Sequence, residues 1–460
     1  MTQKFVLQDF NLGGISDSDY QGTKNSLASI VGFDLHQTPG LLKVSQKLTK
    51  EAPTSGYFAN SVDIIIPCSD GKTYLFANNT ILERTSAGVY SLVRTNTQGK
   101  SLGACEYNGY IYYATSTKLG RWEIGTDWST ATDAWDTFTS GDTIYKPMVI
   151  KNLVLYIGDG NLVAQVEDGV FTADALDLEE QYRVSALGEY GHDLLIGTYV
   201  NDNVSITQIF RWNTWSVSWS YEDPIPEIGI NSFLKTDNVV LVQAGTKGNI
   251  YAYDGQRLVP FKRIKGDWSG IKKAIVKGNA VANYNGIPLF GLSNSSGNPA
   301  IQGIYSFASF SSNYPRVLSI PYIVSSEYIA DITINAIAVV GDSLLVSWSK
   351  GTEHVVDKID FSNKEKNAYI ETRIINFDRT ELKDFSISVG YASLPEDCEI
   401  VIKKKENYGS WVTVESINDT DRKIQYADVR SSACSVIQFR IECVVSGNTA
   451  PEIESLTISF

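Results

Sequence analysis

The stretch Thr236–Gly255, TDNVVLVQAGTKGNIYAYDG, contains two short β-prone runs joined by a glycine-containing turn. Asn238 precedes the apolar run Val239–Val242, a turn with two glycines follows, and Ile250–Tyr253 alternates aliphatic or small residues with tyrosine. Short runs of β-branched and aromatic residues separated by glycine are typical of a β-hairpin. The stretch therefore predicts two adjacent strands of one antiparallel sheet.

The same element recurs along most of the chain. In each copy an Asp or Asn precedes an apolar run, and successive copies lie 41 to 57 residues apart. These predicted repeat anchors, which we interpret as structural, are Asp63, Asn108, Asn152, Asp193, Asn238, Asn285 and Asp342. A period of this length is that of a four-stranded propeller blade.

Aromatic third strands support four strands per repeat. Predicted third strands are Thr73–Phe76, Gly120–Ile124, Ile209–Trp212, Ile250–Tyr253 and Ile304–Phe307. Four strands repeated radially make a β-propeller, whose remaining edges are short and protected. We predict an all-β chain with about seven blades, six and eight also being open.

The repeats divide the chain into three predicted parts. Residues 51–376 form the β-propeller, and residues 1–50 form an N-terminal arm, which lends a strand to the last blade or reaches a neighbouring subunit. Residues 377–460 contain short alternating strands separated by turns, which predict a small C-terminal β-sandwich. In its last strand, Leu456 and Ile458 lie on one face and are expected to be core.

The net charge of −13 disfavours a surface that grips nucleic acid, because such surfaces cluster Lys and Arg. The N-terminus lacks a charged segment followed by an apolar one, and no 18 apolar residues run together. We therefore expect synthesis in the cytoplasm and no membrane span. The five cysteines form no CxxC motif, and Cys434 with Cys443 is the one pair near enough in sequence to be a disulfide candidate.

Catalytic patterns are weak. Ser69–Tyr74, SDGKTY, resembles a sialidase Asp box with one residue missing, but it occurs once and a hairpin turn explains it better. Acidic residues are scattered in turn positions, where local hydrogen bonds account for them. The three histidines, His36, His192 and His354, show no ligand or catalytic spacing and are expected at the surface. We predict no enzymatic activity, no cofactor and no metal site.

A tryptophan-rich segment is the remaining candidate ligand site. Trp212, Trp215 and Trp219 lie within eight residues and could form a surface on which a sugar stacks. Burial of these rings between blades is the alternative interpretation.

The order of parts resembles a known family. FNLGG at 10–14, the turn Thr38–Gly40 and the closing segment NTAPEIESLTISF at 448–460 flank the propeller. This arrangement resembles that of bacteriophage tail hub and nozzle proteins. The resemblance implies a structural virion protein, made in the host cytoplasm, that forms a homo-oligomeric ring in the tail, with a hexamer favoured. Such a ring would contact portal or adaptor proteins, carry tail fibres, retain packaged DNA and let it pass at ejection without specific binding.

Three alternatives remain. The first is a carbohydrate-binding propeller, such as a receptor-binding tail protein or a lectin. The second is a propeller glycosidase, which needs two carboxylates across a cleft. The third is a scaffold of the WD-repeat type, which is disfavoured because Trp135-Asp136 and Gly191-His192 each occur once and in different repeats.

Overall fold

The computed structural model describes residues 4–51, 58–200, 206–236, 239–266, 273–294, 301–311, 314–325, 331–381 and 383–460. Within these ranges the regular elements are β-strands, apart from two short 3-10 turns at Phe10–Leu12 and Trp128–Thr130. Neither turn is long or apolar enough to cross a membrane. The prediction of an all-β chain is confirmed.

Five short strands lie before the first blade. They are β1 (Lys4–Gln8), β2 (Ser29–Val31), β3 (Phe33–Asp34), β4 (Leu42–Val44) and β5 (Gln46–Glu51).

Seven blades follow, each an antiparallel set of four strands counted from the propeller axis outward. Blade one contains β6 (Val62–Pro67), β7 (Thr73–Ala77), β8 (Thr80–Arg84) and β9 (Tyr90–Thr95). Blade two contains β10 (Gly103–Tyr107), β11 (Tyr110–Ala114), β12 (Lys118–Glu123) and β13 (Thr132–Thr137). Blade three contains β14 (Met148–Lys151), β15 (Val154–Asp159), β16 (Leu162–Glu167) and β17 (Val170–Asp177).

The remaining blades continue the pattern. Blade four contains β18 (Tyr182–Tyr190), β19 (Asp193–Val200), β20 (Thr207–Trp212) and β21 (Tyr221–Ile225). Blade five contains β22 (Ile230–Lys235), β23 (Val240–Ala244), β24 (Asn249–Tyr253) and β25 (Leu258–Arg263). Blade six contains β26 (Ala274–Tyr284), β27 (Ile287–Asn294), β28 (Gly303–Ala308) and β29 (Val317–Tyr322). Blade seven contains β30 (Thr333–Val340), β31 (Ser343–Lys350) and β32 (Glu353–Lys364).

The fourth strand of blade seven comes from the beginning of the chain. β5 pairs antiparallel with β32, with Leu48 opposite Ile359 and Glu51 opposite Val356. The inner strand β30 packs against β6 of blade one, which closes the ring. Of the two roles predicted for the N-terminal arm, the described residues therefore perform the first, the lending of a strand to the last blade.

Apolar and aromatic side chains fill the boundaries between neighbouring blades. Between blades one and two, the rings of Trp122 and Trp128 stack with centroids 4.1 Å apart and 9° between their planes. Tyr74 meets both rings edge-on at 5.4 Å. Each blade thus buries its faces only against its neighbours, and this explains why the aromatic residues recur with the blade period.

A β-sandwich follows the propeller. Its strands are β33 (Tyr369–Glu371), β34 (Ile375–Glu381), β35 (Asp384–Ser393), β36 (Glu399–Glu406), β37 (Val412–Ile417), β38 (Ile424–Arg430), β39 (Cys434–Val444) and β40 (Glu452–Ser459). One sheet contains β3, β4, β40, β35 and β38 with β1, and the other contains β2, β33, β39, β36 and β37 with β34. The rings of Phe385 and Phe439 meet edge-on at 5.4 Å between the two sheets.

The N-terminal segment 1–50, predicted as an arm, is built into both domains. β1 pairs along its whole length with β40, and β2 pairs with β33 on one side and, through Val31 and Ile320, with β29 on the other. Blade six and one sheet of the sandwich are therefore a single ten-stranded sheet. The segment is not a free arm because several of its apolar side chains, Leu27, Ile30 and Phe33 among them, are fully buried in a core shared by the two domains.

The FNLGG motif is part of this junction. Gly14 has a φ of +59°, and a Cβ there would lie 2.7 Å from the Cβ of Val317 in blade six. The next residue, Ile15, donates its N–H to the carbonyl of Leu318 at 2.8 Å. Glycine is needed at position 14 both for its left-handed backbone and for this close approach.

Most predicted repeat anchors lie where first and second strands of a blade are joined. Asn108, Asn152, Asn285 and Asp342 lie in these turns, and Asp193 begins the second strand. Asn238 lies outside the described residues. The three asparagines have φ values between 47° and 52°, a left-handed conformation that asparagine tolerates better than most residues.

Blade one departs from the predicted register by one strand. Asp63 lies inside the inner strand β6, and Thr73–Phe76 lies in the second strand rather than the third. The corresponding turn is the Asp-box-like segment, where Asp70 accepts hydrogen bonds from the Lys72 N–H at 3.0 Å and the Tyr74 hydroxyl at 2.8 Å. The prediction was wrong here because the inner strand of this blade, VDIIIP, is as apolar as the second strands elsewhere.

Candidate functional site

The three tryptophans proposed to stack on a sugar do not share a surface. Trp212 is buried, and its Nε1–H donates to the carbonyl of Ser216 at 2.7 Å. Trp219 is half-buried, with its ring edge-on to Phe210 at 5.2 Å. Trp215 alone projects into solvent, with 88% of its surface exposed. Burial thus accounts for two of the three rings.

The one candidate pair of cysteines cannot form a disulfide. Cys434 and Cys443 lie on the same strand, β39, and all five cysteines are free thiols. Nine residues of extended strand separate two Cα atoms by about 30 Å, whereas a disulfide needs less than about 7 Å.

The histidines do not form a site. His192 is exposed, but His36 and His354 are half-buried, contrary to the expectation of surface positions. The His36 ring lies 3.2 Å from the Ser306 hydroxyl, and burial lowers its pKa. No group of three or more His, Cys, Asp or Glu side chains is placed to hold a metal ion in the part of the chain that the structure describes.

An axial cavity of about 340 Å³ lies where the inner strands begin, and residues from all seven blades or their connectors line it. Its polar lining includes Asp63 on β6, Lys100 before β10, Lys277 on β26 and Asn335 on β30. The start of each inner strand points at the propeller axis, and so residues far apart in sequence meet here. We take this axial cavity as the candidate functional site.

One carboxylate and two ammonium groups dominate its electrostatics. Lys100 Nζ lies 2.8 Å from Asp63 Oδ2, and Lys277 Nζ lies 3.8 Å from Asp63 Oδ1. Lys277 also donates to Asn335 Oδ1 at 2.7 Å. Burial and the neighbouring charge of Lys100 lower the pKa of Lys277, and Asp63 opposes this shift. The cluster carries one net positive charge in a protein whose net charge is −13.

Tyr145 forms the floor of the cavity. Its hydroxyl donates to Asn279 Oδ1 at 2.6 Å, and Asn279 Nδ2 donates to the Asp63 carbonyl at 2.9 Å. Burial raises the pKa of the Tyr145 hydroxyl, which therefore remains a donor. The ring lies against Gly278, where a Cβ would come within 2.5 Å of Tyr145 Cε1. On its other side Tyr145 borders a second axial cavity of about 250 Å³. Tyr145 thus lines both axial cavities, as do Asn231, Gly278 and Asn279.

A buried ion pair holds the connector that carries Tyr145. Lys146 and Asp159 have no exposed side-chain surface, and the Lys146 ammonium contacts Asp159 Oδ1. Asp159 also accepts the Ser140 hydroxyl at 2.5 Å and the N–H groups of Thr139 and Ser140 at 3.1 and 3.0 Å. The residue after Tyr145 is therefore fixed to blade three, and Tyr145 has a defined position.

Few features of the sequence indicate this site. Lys100 lies in a connector, and Lys277 and Asn279 flank a glycine in the run VKGNA of β26. Polar residues in a strand that should be apolar on both faces were a usable signal, because central strands of propeller blades are covered on both sides. The sequence did not indicate which polar residues would meet in the cavity, because Asp63, Lys100, Lys277 and Asn335 come from four different blades or their connectors.

The axial cavity lacks the layout of a glycosidase. Of its described lining residues, Asp63 is the sole carboxylate. Both retaining and inverting glycosidases use two carboxyl groups across the scissile bond. Both oxygens of Asp63 are moreover engaged by lysines, Oδ2 by Lys100 and Oδ1 by Lys277.

No family model matches the sequence, and neither does any curated protein. Among solved structures, the chain is similar to the extracellular domain of a hybrid two-component system of B. thetaiotaomicron, with 11% identity, a TM-score of 0.49, and coverage of 80% of this chain and 44% of that one. It is also similar to the WD40 domain of Neurospora crassa Pan2, with 9% identity, a TM-score of 0.43, and coverage of 69% and 97%. A glycoside hydrolase family 43 arabinoxylan arabinofuranohydrolase from Bacillus subtilis has 9% identity and a TM-score of 0.33 over 89% and 98%.

These similarities concern the fold alone. The chain spans less than half of the B. thetaiotaomicron domain. The matches share propeller architecture with this chain, and at such identities they carry no argument about ligand or activity. The chain is a β-propeller protein.

Proposed function

We propose that this chain is a non-enzymatic structural protein of a bacteriophage tail, of the hub or nozzle type. The observation that carries the proposal is the pairing of the two ends of the chain. β1, which precedes FNLGG, pairs with β40 of the closing segment, with Leu7 opposite Leu456. The two segments on which the family resemblance rests are thus one structural unit, and that unit joins the sandwich to the propeller.

Rigidity supports a structural role. A ten-stranded sheet runs from blade six into the sandwich, and one buried core extends across both domains. Domains that move to close over a substrate have instead a hinge and a small polar interface. The single carboxylate of the axial cavity also supports a role without catalysis.

In the proposed ring, DNA would pass between subunits and not through the propeller. Tyr145 lines both axial cavities, which hold about 340 and 250 Å³, far too little for a duplex. We expect a closed homo-oligomer, with a hexamer favoured, because head-to-tail contacts either close into rings or propagate as filaments. The net charge of −13 would keep the lumen from binding DNA tightly.

The test combines sedimentation velocity with negative-stain microscopy of the full chain, from low to high micromolar concentration. The proposal expects rings with a lumen, and immunogold label at the tail of the phage that encodes the chain. Monomers at every concentration, together with virions that carry no label, would refute it. Hydrolysis of a glycan that is lost in Asp63→Asn would refute the non-enzymatic part.

Carbohydrate binding is the second candidate, and the exposed Trp215 favours it. Asn213 Oδ1 accepts the N–H groups of Trp215 and Ser216 at 3.0 and 2.9 Å, so the backbone of the turn that carries the ring is held in place. An exposed indole is a good stacking surface for a sugar. Glycan-array binding that is lost in Trp215→Ala and kept in Tyr426→Ala, which removes an exposed ring from the sandwich, would support this candidate over the first.

A further inference from the structure

We propose that the axial cavity binds a small organic anion, with a carboxylate or phosphate group held between Lys100 and Lys277 and a short apolar body against the apolar part of the lining. This inference does not rest on the proposed tail function. Its failure would leave the proposed tail function untouched, and the reverse also holds.

The charge arrangement selects an anion. Two ammonium groups share the one carboxylate of Asp63, at 2.8 and 3.8 Å. The longer contact leaves Lys277 incompletely neutralised, and half of the Lys100 side chain, 51%, remains exposed. An anionic oxygen near both ammonium groups would balance the cluster, whereas a cation would be repelled by it.

The cavity lining also includes apolar residues. Ile64, Leu102, Ile230 and Val276 line the cavity together with the polar groups. A volume of about 340 Å³ lies near the lower end of the range for small-molecule sites, which is roughly 300–1,000 Å³. Apolar residues with a few convergent polar groups are the usual composition of such sites. A free inorganic ion would leave the apolar part of the lining unused, and so we infer an organic body.

The cavity is also preorganised. Asn335 Oδ1 accepts a hydrogen bond from Lys277 Nζ at 2.7 Å, and Asn335 Nδ2 donates to the Ser349 hydroxyl at 3.1 Å. These bonds hold the Lys277 ammonium from the side of blade seven. Tyr145 and Asn279 close the floor and connect it to the backbone of Asp63. A ligand would therefore enter from the face at which the inner strands begin and would stop at the tyrosine ring.

Isothermal titration calorimetry of the full chain tests the proposal with butyrate, inorganic phosphate and neutral butyramide as probes. Butyrate should bind, with or without binding of inorganic phosphate, and butyramide should not. Heat with inorganic phosphate alone would overturn the inferred organic body, and heat with butyrate alone identifies a carboxylate as the preferred anionic group. Absence of binding by both anions at millimolar concentration, or butyramide binding as tightly as butyrate, would overturn the proposal.

Three variants connect the binding to the named residues. Lys277→Gln should weaken binding ~10–100-fold, because a hydrogen bond to a charged group is lost. Asp63→Asn should tighten it, because the cluster gains one net positive charge. Lys235→Gln is the control, a 66% exposed lysine at the far end of inner strand β22 that pairs with Glu189, and it should bind as the parent does.

The signs of the two cavity variants distinguish a charge effect from misfolding, because damage to the fold would weaken binding in both. Lys100→Gln provides a second lysine variant at a more exposed position, in case Lys277→Gln lowers the melting temperature. Unchanged affinity in both lysine variants would contradict the assignment.

Discussion

Removal of the Asp159 carboxylate should destabilise the protein more than any surface charge substitution. Asp159 and Lys146 are both fully buried, and the Lys146 ammonium also lies 4.5 Å from the centroid of the Phe138 ring. Asp159→Ala would leave this ammonium without its counter-charge in a site that water does not reach. It would also leave two N–H groups and the Ser140 hydroxyl without their acceptor.

The expected loss follows from these contacts. Breaking a buried ion pair by removing one partner costs about 3–5 kcal/mol, since the remaining charge is buried and unpaired. Such a loss is a large fraction of the ~5–15 kcal/mol that stabilises a typical domain. The connector that carries Tyr145 should loosen with it, because Lys146 is its anchor to blade three.

Urea unfolding followed by the fluorescence of the nine tryptophans measures the loss. Hydrogen exchange read by mass spectrometry should show the largest gain in exchange across 138–147. Asp384→Ala is the matched control, since its ion pair with Arg430 is exposed on both sides, at 85% and 76%, and should have no measurable effect.

A double variant separates the stranded charge from the lost hydrogen bonds. Lys146→Met combined with Asp159→Ala removes the charge and leaves only neutral donors unpaired. It should be more stable than Asp159→Ala alone, although it removes one more native side chain, and still less stable than the parent. A double variant less stable than the single one would refute the electrostatic reasoning, as would a loss below about 1 kcal/mol in Asp159→Ala, which is the range of exposed pairs.

Further predictions concern three other positions. Burial raises the pKa of Asp357 from 3.8 to about 6, so the folded state binds its proton more tightly than the unfolded state. The free energy of unfolding of the parent should therefore rise by about 2 kcal/mol, relative to that of Asp357→Asn, as the pH falls from about 6 to 4, and equal pH slopes in urea unfolding would contradict this. Leu456→Ala empties a fully buried position in the sheet that joins the chain ends and should cost about 2–5 kcal/mol in the same assay. Gly278→Ala should cost about 1–3 kcal/mol by displacing the Tyr145 ring, and much less in a Tyr145→Ala background; an equal cost in both backgrounds would exclude a clash with that ring.

The propeller could be predicted from the sequence because its information is local. A hairpin such as Thr236–Gly255 carries its own turn residues and alternation, and repetition makes the weak signal of each copy strong. Blade one does not follow the pattern of the other repeats. Its inner strand resembles the second strands of the other blades in composition, so the predicted anchor Asp63 was placed one strand too far along. Asp63, which was predicted as a structural turn residue, lies in a strand and is one of the charged groups of the axial cavity.

The strand that the N-terminal segment lends to the last blade, β5 on β32, was one of two predicted roles, but the choice between them could not be made from the sequence. The pairing of β1 with β40 was not predicted, because nothing near either strand in sequence indicates a partner hundreds of residues away. The axial cavity has the same origin. Lys100 and Lys277 are brought within reach of one carboxylate only when the ring closes, and a linear pattern does not contain that closure.

The pairing of first and last strands also has a consequence for biosynthesis. Lys4 is synthesised 455 residues before its partner Ser459. At ~5–20 residues per second, synthesis of the residues between them takes roughly 20–90 s. During this interval β1 and β4 have no partner from the growing C-terminus, and their edges are open to pairing with other nascent chains. Slowing elongation late in the message should therefore increase aggregation, and supplying the last strand earlier by circular permutation should reduce it.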